Sequence, residues 1–60
     1  MDAKTLAEKA HKEGRQAFAW GIHSSKNPYN AHAEYNTDEY LKFHNWQNGW
    51  NYAMIRKDKE

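Results

Sequence analysis

Cysteine is absent from this chain of 60 residues, which also has only one proline and three glycines. Without cysteine there is no disulfide framework, no cysteine-ligated zinc site and no thiol nucleophile. The chain lacks an apolar run of about 18 residues, which excludes a membrane span. Its first residues also lack the basic-then-apolar order of a signal peptide. These absences favour a cytoplasmic protein.

A strong excess of one charge is lacking as well, because nine basic and eight acidic side chains leave a net charge of +1. A large basic excess would be typical of a nucleic-acid-binding domain. Aromatic residues are abundant, at 15% of the chain, which is too many for a typical disordered tail. The length fits a single small domain over residues 1–60.

The first part of the chain has helical periodicity and predicts a helix over about residues 3–22. Small side chains recur on one face of this helix, and Gly14 in its middle implies a packing reason because glycine costs about 1 kcal/mol there. The face consists of Leu6, Ala10, Gly14, Ala17 and Gly21, and the alternative for Gly21 is that it ends the helix as a C-cap. Thr5 and Glu8 match a capping box, with Asp2 as an alternative and earlier cap.

Residues 23–36 are expected to form the connection to the next helix. Pro28 disfavours helix for the residue before it, and the serine and asparagine residues of this stretch favour turns. A structureless segment of this length is uncommon in a small domain. We therefore expect Tyr29, together with Tyr35, to hold the connection against the core.

A second helix is predicted over about residues 37–57, with Thr37 or Asn36 as its cap. Its apolar stripe carries mostly large side chains, namely Phe43, Trp46, Trp50, Ala53 and Met54, with Gly49 at its margin. These large side chains complement the small residues on the first helix. The sequence therefore predicts an all-α fold of two antiparallel helices joined by a long ordered loop, a helical hairpin. The core is expected to consist of Ala10, Gly14, Ala17, Phe43, Trp46, Trp50 and Met54. The alternative for Trp46 and Trp50 is a platform on which bases stack.

Some apolar side chains point away from these stripes. Leu41, Tyr52 and Ile55 share a second face of the second helix, and Trp20 lies off the small stripe of the first. Isolated apolar residues on a surface are normal. The alternative interpretation is a contact surface for a protein partner or for a second copy of the chain, so both a monomer and a weak homodimer are open.

Basic side chains on the outer face of the first helix are candidates for phosphate binding. They are Lys9, Lys12 and Arg15, with Lys26 following in the connection and His11 at the border. Contacts to phosphates dominate affinity for nucleic acids, and an exposed Tyr29 would stack on an unpaired base. The alternatives are an ordinary solvated face and, for Tyr29, a core anchor beside Pro28.

The sequence offers no recognisable catalytic or metal-binding pattern. The four histidines lack the spacing of a zinc site, and His32-Ala33-Glu34 has no cysteine ligands to accompany it. No serine, histidine and aspartate constellation and no glycine-rich phosphate loop is evident. We therefore expect no metal, no cofactor and no catalytic residues.

Three segments occur in the order of a known family. They are Lys9-Ala10-His11-Lys12-Glu13-Gly14-Arg15-Gln16-Ala17, Asn27-Pro28-Tyr29 and Trp46-Gln47-Asn48-Gly49-Trp50-Asn51-Tyr52-Ala53-Met54. Together they resemble the ribosome modulation factor family over residues 9–54. The resemblance implies two helices joined by a loop, and binding to the small ribosomal subunit near the 3′ end of its RNA, which silences ribosomes.

The chain departs from that family in three places. Residues 1–8 are near neutral where the family is basic, Asn27 replaces the usual cysteine, and the stretch from Tyr29 to Trp46 is longer and acidic. The function implied is binding of ribosomal RNA or the small subunit and regulation of translation by occlusion. The alternative is a protein-interaction module on the same scaffold, such as a phage-borne inhibitor of one protein. A third hypothesis is a drug-modifying enzyme, because a related group is described as modifying a fluoroquinolone antibiotic.

Overall fold

The computed structural model describes residues 2–59, with side chains up to residue 57, and this part of the chain contains two α-helices and no strand. Helix α1 spans Ala3–Ala19, a short 3-10 turn spans Ser24–Lys26, and helix α2 spans Asp38–Lys59. The prediction of an all-α pair of helices with a long ordered connection is confirmed. Neither helix in the described range is long and apolar enough to cross a membrane.

Helix α1 begins one turn earlier than the capping box predicts. The Asp2 carboxylate accepts a hydrogen bond of 2.8 Å from the backbone N–H of Thr5, so Asp2 is the cap and Thr5 lies inside the helix. This hydrogen bond to the charged form lowers the pKa of the Asp2 carboxyl. Asp2, the alternative cap in the sequence analysis, is therefore the N-cap of α1.

Helix α1 ends at Ala19, three residues before the predicted boundary. Gly21 has a φ of +78°, a backbone conformation that glycine adopts without steric cost. The N–H groups of Gly21 and Ile22 turn back to the carbonyl oxygens of Phe18 and Ala17, at 3.0 and 2.9 Å. This paired arrangement is the Schellman motif, in which glycine terminates a helix. Gly21 therefore ends the helix and does not extend its small face.

Thr37 caps α2, which extends to Lys59, two residues beyond the predicted end. Its hydroxyl donates to the Glu34 carbonyl at 2.7 Å and accepts from the N–H of Tyr40 at 3.2 Å. Asn36, the alternative cap, instead takes a left-handed conformation with a φ of +67°. Asparagine tolerates this region better than most side chains, so Asn36 forms the turn into the helix and Thr37 begins it.

The two helices run in the same direction, whereas the sequence led us to expect an antiparallel pair. Lys4, at the start of α1, shares a groove with Asn45 in the first half of α2. Phe18, at the end of α1, lies 5.7 Å below the ammonium group of Lys57, near the end of α2. Eighteen residues separate Ala19 from Asp38. Antiparallel helices are typically joined by two to five residues, and the longer segment here returns the chain to its starting end.

The connection is hydrogen-bonded to α2 along its return path. The indole N–H of Trp50 donates to the Ile22 carbonyl at 2.7 Å. The side-chain amide of Asn27 donates to the Phe43 carbonyl at 3.1 Å, and its oxygen accepts from the N–H of Tyr29 at 3.0 Å. These hydrogen bonds explain how a segment with a single 3-10 turn stays ordered. Asn27, one of the departures from the family pattern, thus ties the connection to α2.

The helices cross where two glycines allow their backbones to touch. A Cβ atom at Gly14 would lie 2.0 Å from the carbonyl oxygen of Trp46, and one at Gly49 would lie 2.0 Å from the carbonyl oxygen of His11. Neither contact leaves room for a methyl group. Gly49, which the sequence placed at the margin of its stripe, lies at the closest approach of the two helices.

The core around this crossing is small and pairs small side chains with one large one, as expected. Ala10, Ala17 and Trp46 are buried, and Tyr29 and Trp50 pack against them. Phe43 is half-buried beneath the connection. Met54 is 36% exposed, which corrects its assignment to the core.

The reason for the exposure of Met54 lies in the path of the connection. The connection contacts α2 through Phe43 and Trp50. Met54 lies one helical turn beyond Trp50 and therefore beyond the last of these contacts. Tyr35, expected to anchor the connection, is 74% exposed and contacts the ring of Tyr40 at 5.1 Å, so Tyr29 is the anchor of the two.

Replacing Gly14 with alanine is expected to destabilise the protein strongly. The added methyl group collides with backbone atoms of α2, which cannot rotate away, and such overpacking outweighs the better helix propensity of alanine. We expect Gly14→Ala to lower the free energy of unfolding by about 2–3 kcal/mol, measured by urea denaturation. Asn48→Ala, at an exposed position of α2, should change it by less than about 0.5 kcal/mol. A Gly14→Ala protein as stable as the wild type would contradict the close crossing.

Candidate nucleic-acid interface

Two adjoining depressions lie between the helices on one side of the molecule, and we call them together the basic groove. Its first half is lined by Lys4, Ala7, Glu8, His11, Lys12, Arg15 and Asn45. Its second half is lined by Arg15, Phe18, Ala19, Tyr52, Ala53, Arg56 and Lys57. Arg15 belongs to both halves, so α1 and the C-terminal half of α2 contribute to one surface.

Positive charge is concentrated in the basic groove, although the net charge of the chain is close to zero. Among the side chains that the structure describes, five basic groups and one carboxylate, that of Glu8, line it and give these residues a net charge of +4. The full sequence carries +1. All five basic side chains are exposed, so they are free to contact a ligand in solution. Anions are therefore attracted to this surface although the protein is nearly neutral.

An aromatic side chain lies among these charges. The Tyr52 ring is 5.7 Å from the His11 ring at a tilted angle and 5.4 Å from the guanidinium carbon of Arg56. The Tyr52 hydroxyl accepts a hydrogen bond of 3.1 Å from that guanidinium. Tyr52 is still 44% exposed. A ring held in this way offers a flat surface next to cations, which suits stacking with a base next to its phosphate.

The groove unites only part of the set of RNA-binding candidates from the sequence. His11, Lys12 and Arg15 line it. Lys9 is exposed on α1 but lines neither half of the groove, and Lys26 lies in a separate depression on the connection side of α1. The sequence predicts one basic surface, but in the structure Lys9 and Lys26 lie apart from Lys12 and Arg15.

Arg56 and Lys57 were not among the candidates because their position depends on the direction of α2. In an antiparallel pair they would lie beside the beginning of α1, away from Arg15. The length of the connection is the sequence signal that indicates the observed direction. With that direction known, the Tyr52 and Arg56 pair, four residues apart on one helix face, would have pointed to this groove.

Tyr29 serves as an anchor. Its ring packs against the core cluster and lies 5.8 Å below the ammonium group of Lys42, while its hydroxyl donates a hydrogen bond to the Glu13 carboxylate. Partial burial, and then the adjacent carboxylate, raises the pKa of Tyr29 to about 12. These contacts favour the structural interpretation of Tyr29 over base stacking.

The remaining aromatic and apolar candidates lie in different places. Trp46 is 3% exposed, Trp20 is 70% exposed and Ile55 is 52% exposed. Leu41 is half-buried and Tyr52 belongs to the basic groove. Burial excludes Trp46 as a stacking platform, while Trp20 presents its indole to solvent.

Within the described part of the chain, no group of three or more histidine, aspartate or glutamate side chains is placed to hold a metal ion. Comparison of the chain with protein-family models, with curated proteins and with solved structures finds no significant match. The chemistry of the basic groove is therefore the main guide to function.

The Tyr29–Glu13 hydrogen bond predicts a pH-dependent contribution to stability. Replacing Tyr29 with phenylalanine should lower the free energy of unfolding by about 1 kcal/mol at neutral pH. The folded state retains the phenolic proton up to a pKa of about 12, against 10.0 for the free side chain. The contribution is therefore complete below pH 10.0 and declines as the pH rises towards 12.

Urea denaturation of the wild type and of Tyr29→Phe across this alkaline range measures the effect. The difference in stability between the two proteins should be constant from pH 7 to about 9.5 and smaller at pH 11. A difference that stayed the same at pH 11 would contradict the raised pKa. The contribution of the Glu13 charge is tested separately by Glu13→Gln, whose neutral amide oxygen still accepts from the phenol.

Proposed function

We propose that this protein binds RNA of the small ribosomal subunit through the basic groove and regulates translation by occluding that RNA. It acts in the cytoplasm, where ribosomes are, and without catalysis. The observation that carries this proposal is the +4 groove that the two helices form together. Cationic side chains that converge on one surface are the electrostatic footprint of a protein that binds a phosphate backbone.

The groove accounts for RNA affinity without a basic N-terminus. In the family that the sequence resembles, the start of the chain is basic, whereas residues 1–8 are near neutral here. Arg56 and Lys57 of α2 supply positive charge on the same surface as Lys12 and Arg15. The phosphate contacts are thus drawn from both helices instead of from an N-terminal extension.

The segments that resemble the ribosome modulation factor family contain residues of the helix crossing and residues of the groove. Gly14 and Gly49, which lie in the first and third matching segments, form the helix crossing. His11, Lys12 and Tyr52 lie in the same segments and line the groove. Gly14, Gly49 and His11 match the pattern of the family. Lys12 and Tyr52 fall at positions that the pattern leaves open, so the resemblance extends to the crossing and to His11.

Occlusion fits the shape and the chemistry of this surface. The basic groove is an open depression between two helices, and its exposed tyrosine and cations contact a strand from one side. A bound segment of RNA would be covered by the protein and denied to other ligands. Among the described residues that line the groove, none is arranged as a nucleophile with an adjacent base, which is the arrangement that covalent catalysis needs.

Sedimentation of the protein with small ribosomal subunits tests the proposal, with two matched variants. Lys12→Glu and Lys9→Glu make the same charge change at exposed positions of the same helix, but only Lys12 lines the groove. We expect the wild type and Lys9→Glu to co-sediment at low salt, and Lys12→Glu to bind at least tenfold more weakly. Circular dichroism should show that both variants are folded.

Salt dependence tests the phosphate contacts directly. If all five basic side chains contact phosphates of a single strand, the logarithm of the binding constant should fall with the logarithm of salt concentration with a slope of about −3.5. Lys12→Glu should reduce that slope by about one contact. Equal losses for Lys9→Glu and Lys12→Glu, or no co-sedimentation of the wild type at low salt, would contradict the proposal.

The second candidate is a protein-interaction module, which the 52% exposure of Ile55 and the 44% exposure of Tyr52 favour. In this case a protein partner should be retained from a ribonuclease-treated extract. Ile55→Asp should then reduce retention more than Lys12→Glu does. Loss of the partner after ribonuclease treatment would support RNA binding instead.

A further inference from the structure

A second depression lies on the side of α1 that faces the connection. Its volume is about 430 Å³, within the range of small-molecule sites, and its main lining residues are Glu13, Gln16, Trp20, Ile22, Lys26 and Pro28. Most of its lining surface is apolar, with one carboxylate, one amide and one ammonium group. A mostly apolar site with a few converging polar groups is the typical composition of a ligand site. We call it the Trp20 depression.

Trp20 presents the largest exposed aromatic surface in the depression. It is 70% exposed, although an indole gains more from burial than almost any other side chain. Its backbone is fixed, because its N–H donates to the carbonyl oxygens of Gln16 and Ala17 at 3.0 and 3.2 Å. An exposed ring on a fixed backbone is prepared to stack on a flat ligand with a small loss of entropy.

The polar groups of the depression differ from one another in hydrogen-bonding chemistry. Glu13 accepts a hydrogen bond from the Tyr29 hydroxyl, which orients its carboxylate, and a carboxylate has further lone pairs to accept more donors. Lys26 is exposed at the same depression and supplies a positive charge. The set therefore combines a flat ring, an oriented acceptor and a cation.

We propose that the Trp20 depression binds an unpaired nucleobase that carries an exocyclic amino group, as part of the RNA held by the basic groove. The base stacks on Trp20, its amino group donates to the Glu13 carboxylate, and Lys26 contacts an adjacent phosphate. Cytosine and adenine present amino donors, as does guanine from its other edge. This inference rests on the proposed RNA-binding function and adds a second contact point with a preference among bases.

The same chemistry predicts discrimination against uracil. Uracil has a carbonyl oxygen at the position where cytosine has its amino group, so it would place an acceptor against the Glu13 carboxylate. Two acceptors cannot form a hydrogen bond, so uracil can reach the carboxylate only through its ring N3–H, with a carbonyl oxygen repelled on each side of that donor. A site built to pair with an amino donor therefore binds uracil more weakly. A purely apolar partner would leave the oriented carboxylate and Lys26 without a counterpart.

Nuclear magnetic resonance titration of the ¹⁵N-labelled protein with nucleoside monophosphates tests the site. The Trp20 indole signal, assigned by its absence in Trp20→Ala, should shift with cytidine and adenosine monophosphate and shift much less with uridine monophosphate. Glu13→Gln, which still accepts from Tyr29, should bind cytidine and uridine monophosphates with similar affinity, because its amide offers both a donor and an acceptor.

Short single-stranded RNAs extend the test to the whole ligand. Trp20→Ala should lower the affinity for a cytosine-containing oligonucleotide about 5- to 150-fold, the range expected for loss of one base stack. Lys26→Ala should reduce the salt dependence by about one phosphate contact. Both variants should keep the amide spectrum of the folded protein.

The outcomes separate this inference from the proposed function. Lys12→Glu should weaken binding of RNA but leave the shift of the Trp20 indole with cytidine monophosphate unchanged. If subunit binding depends on Lys12 while nucleotides leave the Trp20 indole unshifted, the inference is overturned and the proposed function stands. Equal shifts with the cytidine and uridine nucleotides, or a shift only with apolar peptides, would also overturn it.

Discussion

The contact of two helix backbones at Gly14 and Gly49 is the constraint on which the rest of this structure depends. Each glycine lies against a carbonyl oxygen of the other helix, so the pair is locked at one crossing point. That point determines which side chains fall in the core and which line the space between the helices. In the part of the chain whose burial the structure describes, the buried apolar side chains are those of Ala10, Ala17 and Trp46. So small a core adds little packing to hold the geometry, since small domains have a small stabilising margin.

The connection complements the crossing by setting the direction of the second helix. Its hydrogen bonds from Asn27 and Trp50 fasten it to α2, while Tyr29 fastens it to Glu13 of α1. The segment is therefore a third packed element and more than a link. Two surfaces result, because the connection covers one side of the helix pair and leaves the basic groove open on the other.

Much of this fold follows from local rules that act within a few residues. The apolar periodicity predicts both helices, and Thr37 starts α2 as its side chain requires. The sequence places the end of α1 at residue 22 instead of Ala19, because Gly21 fits the small stripe as well as it fits a helix terminus. The direction of the pair is not a local property. A stripe of small residues complements a stripe of large ones in either orientation, so complementarity could not distinguish the two.

The part of the basic groove that lies on α1 was predictable from the sequence, and the part contributed by α2 was not. Lys12, Arg15 and His11 lie on one helix, so their common surface follows from helical spacing. Arg56 and Lys57 join them only because α2 runs parallel to α1. Lys26 is separated from the groove because the connection passes along the opposite side of α1, which no helical periodicity describes.

Parallel packing also has an electrical consequence. Each helix has a partial positive charge at its N-terminus and a partial negative charge at its C-terminus, and two helices that run together add these dipoles where an antiparallel pair would cancel them. Acidic side chains occupy the positive end of the pair, at Asp2, Asp38 and Glu39, and Arg56 and Lys57 stand near the negative end. The placement of charge along this nearly neutral chain thus offsets a field that its own backbone creates.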